Sequence, residues 1–188
     1  VTSIGNGAFA YCGSLKNLVL PESVVSIKGY LFCKWNGEVK CLSPNFIFED
    51  GVLFNKDKST IISFRDKDIT SYVIPDYVTS IGGDAFSGCE SLTSLVISNS
   101  VTHIAVGAFL SCTSLSSVVI PDGVTSIGEG AFIGCESLKS IVIPDGVVSI
   151  EKDAFRDCNF PNDFKQKLIS RFGDKIFGYV FRLFLGYY

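Results

Sequence analysis

Cysteine is the residue type of this chain with the most chemical potential, because four of its seven cysteines recur at one spacing. Cys89, Cys112, Cys135 and Cys158 follow one another at steps of 23, and Cys12 holds the same place in an earlier unit. At the roughly 4.8 Å spacing of stacked strands a disulfide between two of them is within reach, but five cannot all pair. A buried thiol that acts as a small apolar residue is the interpretation we favour. A metal site is not expected, since the chain has no Cys-x-x-Cys pair and only one histidine.

The histidine and the serines do not form a recognisable catalytic set. His103 occupies a slot that is serine in its sister units, so repetition explains these serines without a nucleophile and base. The sister serines are Ser80, Ser126 and Ser149. The Gly-x-Gly segments at 5–7 and 128–130 do not lead from a strand into a helix, so they are turn glycines and not a phosphate-binding loop. The sequence therefore predicts no enzyme activity and no cofactor.

A repeat of 23 residues positions all of these side chains. The segment Val78-Thr79-Ser80-Ile81-Gly82 returns with small changes at Val101, Val124 and Val147. A fixed period of this length is typical of a solenoid, in which each unit buries its apolar side by stacking on the next.

The unit that begins at Leu92 shows the role of each position. Leu95 and Ile97 alternate with other residues at the two-residue period of a short strand. Stacked copies of this strand predict one parallel sheet with Leu95 and Ile97 facing inward. The outward positions of the same unit would be Ser94, Val96 and Ser98.

A turn follows each strand, and the rest of the coil returns along the opposite side. Pro, then Asp or Asn, then Gly favour a change of direction, and Gly allows a positive φ. One fixed phenylalanine per unit, preceded by alanine, predicts a stack of aromatic rings. The turns are Pro75-Asp76-Tyr77, Ser98-Asn99-Ser100, Pro121-Asp122-Gly123 and Pro144-Asp145-Gly146. The phenylalanines are Phe86, Phe109, Phe132 and Phe155.

The pattern Leu-x-x-Leu-x-Leu with a fixed Phe and Cys is similar to a leucine-rich repeat. Ile-Gly-x-x-Ala-Phe-x-x-Cys-x-Ser-Leu together with Ile-Pro-Asp-Gly-Val resembles the BspA-like (Treponema-type) subclass, over about residues 1–158. The resemblance implies a right-handed solenoid of the β-rich α/β class, with a parallel sheet on one face and short strands and turns on the other. It also implies a bacterial cell-surface or secreted protein that takes part in adhesion.

The repeat is interrupted at about residues 43–67. Asp50-Gly51 lies between two β-rich runs and is typical of a tight hairpin turn. We therefore predict a small antiparallel β-hairpin insertion within a solenoid that spans 1–158. A functional loop is the alternative, although apolar residues that alternate as in packed strands favour the hairpin. The β-rich runs are Phe46-Ile47-Phe48, Val52-Leu53-Phe54 and Ile61-Ile62-Ser63-Phe64.

Residues 159–188 are predicted to form a C-terminal cap. Phe164, Leu168 and Phe172 share one face of a helix that Gly173 would end. Such a helix would cover the apolar end of the solenoid and its unpaired strand edges. The apolar segment 176–188 is too short to span a membrane, and it either completes the cap or pairs with another copy.

Composition narrows the classes of partner. Hydrophobic residues make up 47% of the chain, and the formal net charge is −3 with scattered basic residues. Without a basic patch that neutralises phosphates, no nucleic-acid partner is expected. No signal peptide is visible, and no membrane insertion is expected. The chain opens inside a repeat, so we expect it to be part of a longer protein.

A row of outward valines on the strands forms the candidate binding face. These valines, flanked by hydroxyl side chains, form a contiguous apolar patch that is larger than the isolated apolar residues common on protein surfaces. It predicts a protein- or glycan-binding face for a host-matrix or cell-surface ligand. Valine's preference for strands explains the same row equally well, and the alternative function is a structural spacer or self-assembly module without a specific ligand. The candidate face comprises Val73, Ser94, Val96, Ser117, Val119, Ser140 and Val142.

Overall fold

The computed structural model describes residues 1–65 and 68–178 and confirms the predicted solenoid. Each coil passes through one front strand and one two-residue return strand. The front strands are β2 (Asn17–Leu20), β4 (Glu38–Cys41), β8 (Ser71–Val73), β10 (Ser94–Val96), β12 (Ser117–Val119) and β14 (Ser140–Val142). The return strands are β1 (Ser3–Ile4), β3 (Ser26–Ile27), β9 (Ser80–Ile81), β11 (His103–Ile104), β13 (Ser126–Ile127) and β15 (Ser149–Ile150).

The front strands pair in parallel and in register with the repeat, but as the separate pairs β2–β4, β8–β10 and β12–β14, so the prediction of one continuous front sheet is wrong. Val73 lies opposite Val96 in the pair β8–β10, and Val119 lies opposite Val142 in the pair β12–β14. Each three-residue front strand of β10, β12 and β14 is exposed, buried and exposed in turn, so the pleat sends the same repeat position inward in every coil.

Three further strands, β5 (Phe46–Glu49), β6 (Val52–Asn55) and β7 (Thr60–Phe64), extend the return sheet. Its order is β15-β13-β11-β9-β7-β6-β5, with β5 to β7 antiparallel and β7 parallel to β9. Asp50 and Gly51, at φ of 49° and 78°, form the two-residue hairpin turn that their sequence predicts.

Strand β6 lies between two hydrophobic cores. Val52 and Phe54 belong to the larger core of the C-terminal coils, whereas Leu53 belongs to a smaller core with Phe32 and Trp35. All three β6 residues are buried, so this strand does not show the alternation expected from its sequence. The insertion therefore connects the N-terminal coils, which form the smaller core, with the C-terminal coils, which form the larger core.

Polar contacts also hold these two stacks of coils together around the insertion. Arg65 Nη1 donates to the Gly37 carbonyl at 2.6 Å, and its guanidinium lies over the Phe48 ring at 5.4 Å from the centroid. Lys34 and Glu90 form an ion pair at 2.7 Å across the same junction. The two stacks are therefore joined by polar contacts as well as by the buried apolar residues of β6.

The predicted phenylalanine stack runs through the larger core. Phe86, Phe109, Phe132 and Phe155 are fully buried, with neighbouring ring centroids 5.1–5.7 Å apart. Phe64 adds a fifth ring at 5.0 Å from Phe86. Rings at these separations gain stabilisation beyond the burial of their surface.

Two sequence expectations about the turns are wrong. Ser98 does not face outward: it is 9% exposed, because β10 ends at Val96 and the chain already turns inward. Gly123 and Gly146 are absent from the positive-φ residues of the described ranges. Each turn is closed by an i to i+3 bond from the following valine N–H, a geometry that a negative φ also allows.

Helix α1 (Asn162–Phe172) covers the C-terminal end of the solenoid, as predicted. Leu168 is buried, and Phe164 and Phe172 pack against the core. A 3₁₀ helix (Asp174–Phe177) follows. Phe155 N–H donates to the Ile176 carbonyl at 2.8 Å. This bond replaces the one between neighbouring coils in which, for example, Phe132 N–H donates to the Ala154 carbonyl.

Arg171 closes the last turn of the solenoid. Its guanidinium donates to the carbonyls of Pro144 at 2.8 Å and Val147 at 3.1 Å. At the turn after β10 a serine has this role, since Ser100 Oγ donates to the Val78 carbonyl at 2.7 Å. The arginine thus satisfies carbonyls that a further coil would otherwise bind.

The apolar tail falls mostly beyond the described ranges. Residues 176–178 are described, whereas 179–188, to which the sequence assigns either capping or self-association, lie outside them. No helix within 1–65 and 68–178 has the length and apolar character to cross a membrane.

Candidate interaction surface

The outward valines of the front strands form one row on the surface, which we call the valine strip (Val73, Val96, Val119 and Val142). Their exposed fractions are 61%, 53%, 61% and 59%. Parallel paired strands lie about 4.8 Å apart, so the isopropyl groups are direct neighbours within each of the pairs β8–β10 and β12–β14. β10 and β12 lie side by side and join the two halves of the valine strip.

A row of exposed serines runs beside the valine strip. Ser94 and Ser71 are opposite each other, as are Ser117 and Ser140, two residues before each valine. Further out, Thr93 Oγ1 donates to the Thr70 carbonyl at 2.9 Å. This hydrogen bond fixes the orientation of the Thr93 hydroxyl group in the unbound protein.

Charged residues lie on β4, which precedes the valine strip in the chain. Lys40 lies opposite Val19, and Glu38 lies opposite Asn17. Val19, 50% exposed, lies on β2, which pairs with the charged β4 and not with a strand of the valine strip. The coil that contains β4 departs from the repeat, so the sequence pattern does not determine which of its residues lie opposite Val19.

The four regularly spaced cysteines, Cys89, Cys112, Cys135 and Cys158, are buried, whereas Cys12 is half-buried. Cys135 Sγ donates to the Phe109 carbonyl and Cys158 Sγ to the Phe132 carbonyl, each at 3.2 Å. Burial raises the pKa of Cys158 to about 12, so its thiol stays protonated at neutral pH and is a poor nucleophile. None of the seven cysteines, all of which lie in the described ranges, forms a disulfide. The structural role favoured from the sequence agrees with this burial.

His103 lies on the return side, away from the valine strip. It is exposed, its Nδ1 is 2.8 Å from Thr102 Oγ1, and Ser80 is its neighbour on β9. Among the described residues no three His, Cys, Asp or Glu side chains are grouped so that they could hold a metal ion.

Comparison with known families gives one match that covers most of the chain. The model described as the BspA type leucine rich repeat region matches residues 1–48 and 60–183 in six copies. No curated protein was found to match the chain.

Several solved structures are similar to this one. A leucine rich cell surface protein from Faecalibacterium prausnitzii A2-165 is 32% identical with a TM-score of 0.71, over 82% of this chain and 42% of that protein. A leucine-rich repeat protein from Eubacterium ventriosum ATCC 27560 is 29% identical with a TM-score of 0.69, over 84% of this chain and 50% of that one. The leucine rich repeat protein of T. pallidum is 27% identical with a TM-score of 0.59, over 96% of this chain and 78% of that protein. The chain thus spans half or less of the length of the first two.

Proposed function

This chain belongs to the BspA-type leucine-rich repeat family, and on that premise we propose that it is a protein-binding domain that docks its partner on the valine strip. Leucine-rich repeats of this fold are non-enzymatic scaffolds, and an extended sheet is the surface that solenoids generally offer to partners. The proposal is supported by the exposed valines and serines of the front face.

One observation carries the proposal: four valines in line, each more than half exposed, stand on four strands. A partner that covers them removes apolar surface from water, at about 25 cal/mol per Å² of buried area. The serines alongside supply hydrogen bonds without a net charge. Such a strip suits a partner that presents apolar side chains at the centre of its contact and polar groups at the rim.

The partner we propose is a protein of the extracellular matrix or of another cell, with the chain acting in adhesion at a bacterial surface or after secretion. Two facts support this context: the family resemblance, and the cell surface protein of F. prausnitzii at 32% identity. The low net charge of −3 favours a contact that depends weakly on salt.

A binding array of matrix proteins and glycans tests the proposal. The test variant carries Val96→Glu and Val119→Glu, which place two charges in the strip. The matched control carries Val106→Glu and Val148→Glu, since these valines are 58% and 80% exposed but lie on the return side. All three chains should have the same melting temperature within a few degrees, because every substituted side chain is exposed.

The outcomes separate the alternatives. Binding to a matrix protein that the strip variant loses and the control keeps supports docking on the valine strip. Equal binding by both variants would place the partner elsewhere and refute the proposal. Binding to no protein and no glycan would favour the spacer or self-assembly function, for which size-exclusion chromatography of a chain without residues 179–188 is the next measurement.

A further inference from the structure

The turn after β10 departs from the other turns of the repeat. It reads Ser98-Asn99-Ser100, whereas the turns at Pro75, Pro121 and Pro144 begin with proline. Proline restricts the unfolded chain and so stabilises a turn whose φ it fits. Among the regular C-terminal coils this turn is the one that begins without proline, although the turn after β4 also lacks it, with Leu42 at this position. Departures from a repeat's local pattern are expected at functional sites.

The side chains at this turn form a polar cluster with the preceding turn. Ser98 Oγ donates to Asp76 Oδ1 at 2.5 Å, and Ser100 Oγ lies 3.0 Å from Ser98 Oγ while it donates to the Val78 carbonyl. Among the described residues, no hydrogen bond is formed by Asp76 Oδ2 or by the side-chain amide of Asn99. The cluster therefore has acceptors and donors to offer to a ligand.

The front sheet opens at the same coil. Ile74 N–H donates to the Val96 carbonyl at 2.9 Å, and Ile120 N–H donates to the Val142 carbonyl at 2.9 Å. Within the described part of the chain, no equivalent bond joins Ile97 to Val119, and β10 and β12 form no ladder. The unusual turn and the gap in the sheet thus occur together.

A cleft lies beside this gap. It is shallow and open to solvent, with a volume of about 490 Å³, so it could cover one side of a small ligand. One side chain on its wall is the exposed Val96 of the valine strip. The cleft is lined by Asp76, Val96, Ile97, Ser98, Asn99 and Ser100.

We propose that this cleft binds one sugar residue of a glycan. A sugar ring carries neighbouring hydroxyls that both donate and accept hydrogen bonds, and a carboxylate, an amide and two hydroxyls match that need. The apolar C–H face of the ring would lie against Val96 and Ile97. This inference goes beyond the proposed function, because it concerns a small polar cleft and does not need the rest of the valine strip.

Other ligand classes fit the cleft less well. No lysine, arginine or histidine lines it, so it offers no counter-charge to phosphate, sulfate or a carboxylic acid. Asp76 is its sole carboxylate, whereas a calcium ion takes 6–8 oxygen ligands and usually several carboxylates. An uncharged polyhydroxyl ligand remains the best match.

Saturation-transfer NMR with the full chain tests the proposal, because it detects the weak binding expected of a single sugar. The probes are methyl glycosides of glucose, galactose, mannose and N-acetylglucosamine at millimolar concentration. Asp76→Asn removes the charge at constant shape. A second variant, Ser98→Pro with Asn99→Asp and Ser100→Gly, gives this turn the sequence of the turn at Pro121. The matched control is Asp122→Asn in that regular turn.

We expect a signal from at least one glycoside with the parent and with Asp122→Asn. Asp76→Asn should bind about tenfold or more weakly, since it loses a charge-assisted hydrogen bond. The regularised turn should abolish the signal. Its melting temperature should change by only a few degrees, because the proline stabilises the turn while the Ser100 bond to the Val78 carbonyl is lost. No signal from any glycoside with the parent, or an unchanged signal from the regularised turn, would overturn the proposal. The regularised turn keeps all four strip valines, so its binding to a protein partner should be unchanged, which separates this test from that of the valine strip.

Discussion

Phe109→Ala should destabilise the C-terminal core by about 3–5 kcal/mol. Phe109 is fully buried, with ring centroids 5.4 Å from Phe86 and 5.1 Å from Phe132. Burial of such a side chain contributes about 1.5–3 kcal/mol, and each stacked pair contributes about 0.5–1.5 kcal/mol more. The alanine removes both and leaves a cavity, because rings fixed by their own coils cannot move in to fill it. Phe109→Leu keeps most of the burial and loses the stacking, so about 1–3 kcal/mol is expected.

Urea unfolding followed by circular dichroism measures these differences as shifts of the midpoint at constant slope. Val119→Thr is the control, because its side chain is 61% exposed and threonine also favours strands. The control should change the free energy of unfolding by less than about 0.5 kcal/mol. If Phe109→Ala cost no more than Val119→Thr, the division of this repeat into inward and outward positions would be refuted.

Two further perturbations test the end of the solenoid and the pH dependence of its stability. Arg171→Met should cost about 1–3 kcal/mol in urea unfolding, because the carbonyls of the last turn lose a charged donor, and a negligible cost would mean that water replaces the arginine fully. Partial burial raises the pKa of Asp84, which the Asn6 amide opposes, so the folded state holds this proton more tightly than the unfolded state does. The contribution of Asp84 to stability is therefore present at low pH and falls as pH rises through the range of the carboxyl group. Asp84→Asn, which tolerates the φ of 54° at this position, should raise the melting temperature at pH 7 and leave it unchanged at pH 3; a gain that is equal at both values would contradict the assignment.

The insertion and the cap show how far local patterns reach. Asp50-Gly51 between apolar runs predicted a hairpin, and Phe164, Leu168 and Phe172 predicted a helix that ends before Gly173. Both features are present because turn type and helix face depend on residues close together in sequence. The place of Lys40 opposite Val19 could not be found in this way, since it depends on how an irregular coil stacks on its neighbour.

The candidate surface was predictable for the same local reason. With a period of 23 and a strand that alternates every two residues, Val96 and Val119 must share a face once the coils stack in register. What the sequence does not say is whether valine at this position serves binding or strand formation, because both favour the same side chain.

The sequence by itself determined the solenoid, its inward phenylalanines and its outward valines, because every coil repeats the same short-range pattern and stacking converts that pattern into rows. Only the tertiary structure decided the features where coils differ. Leu53 packs in a second core, and Ser98 is buried and donates to Asp76. Within the described residues, Ile97 N–H does not form the bond to the Val119 carbonyl that the repeat would give it. Each of these features depends on contacts between residues of different coils. Such a contact changes when one of the two coils has a sequence that differs from the repeat.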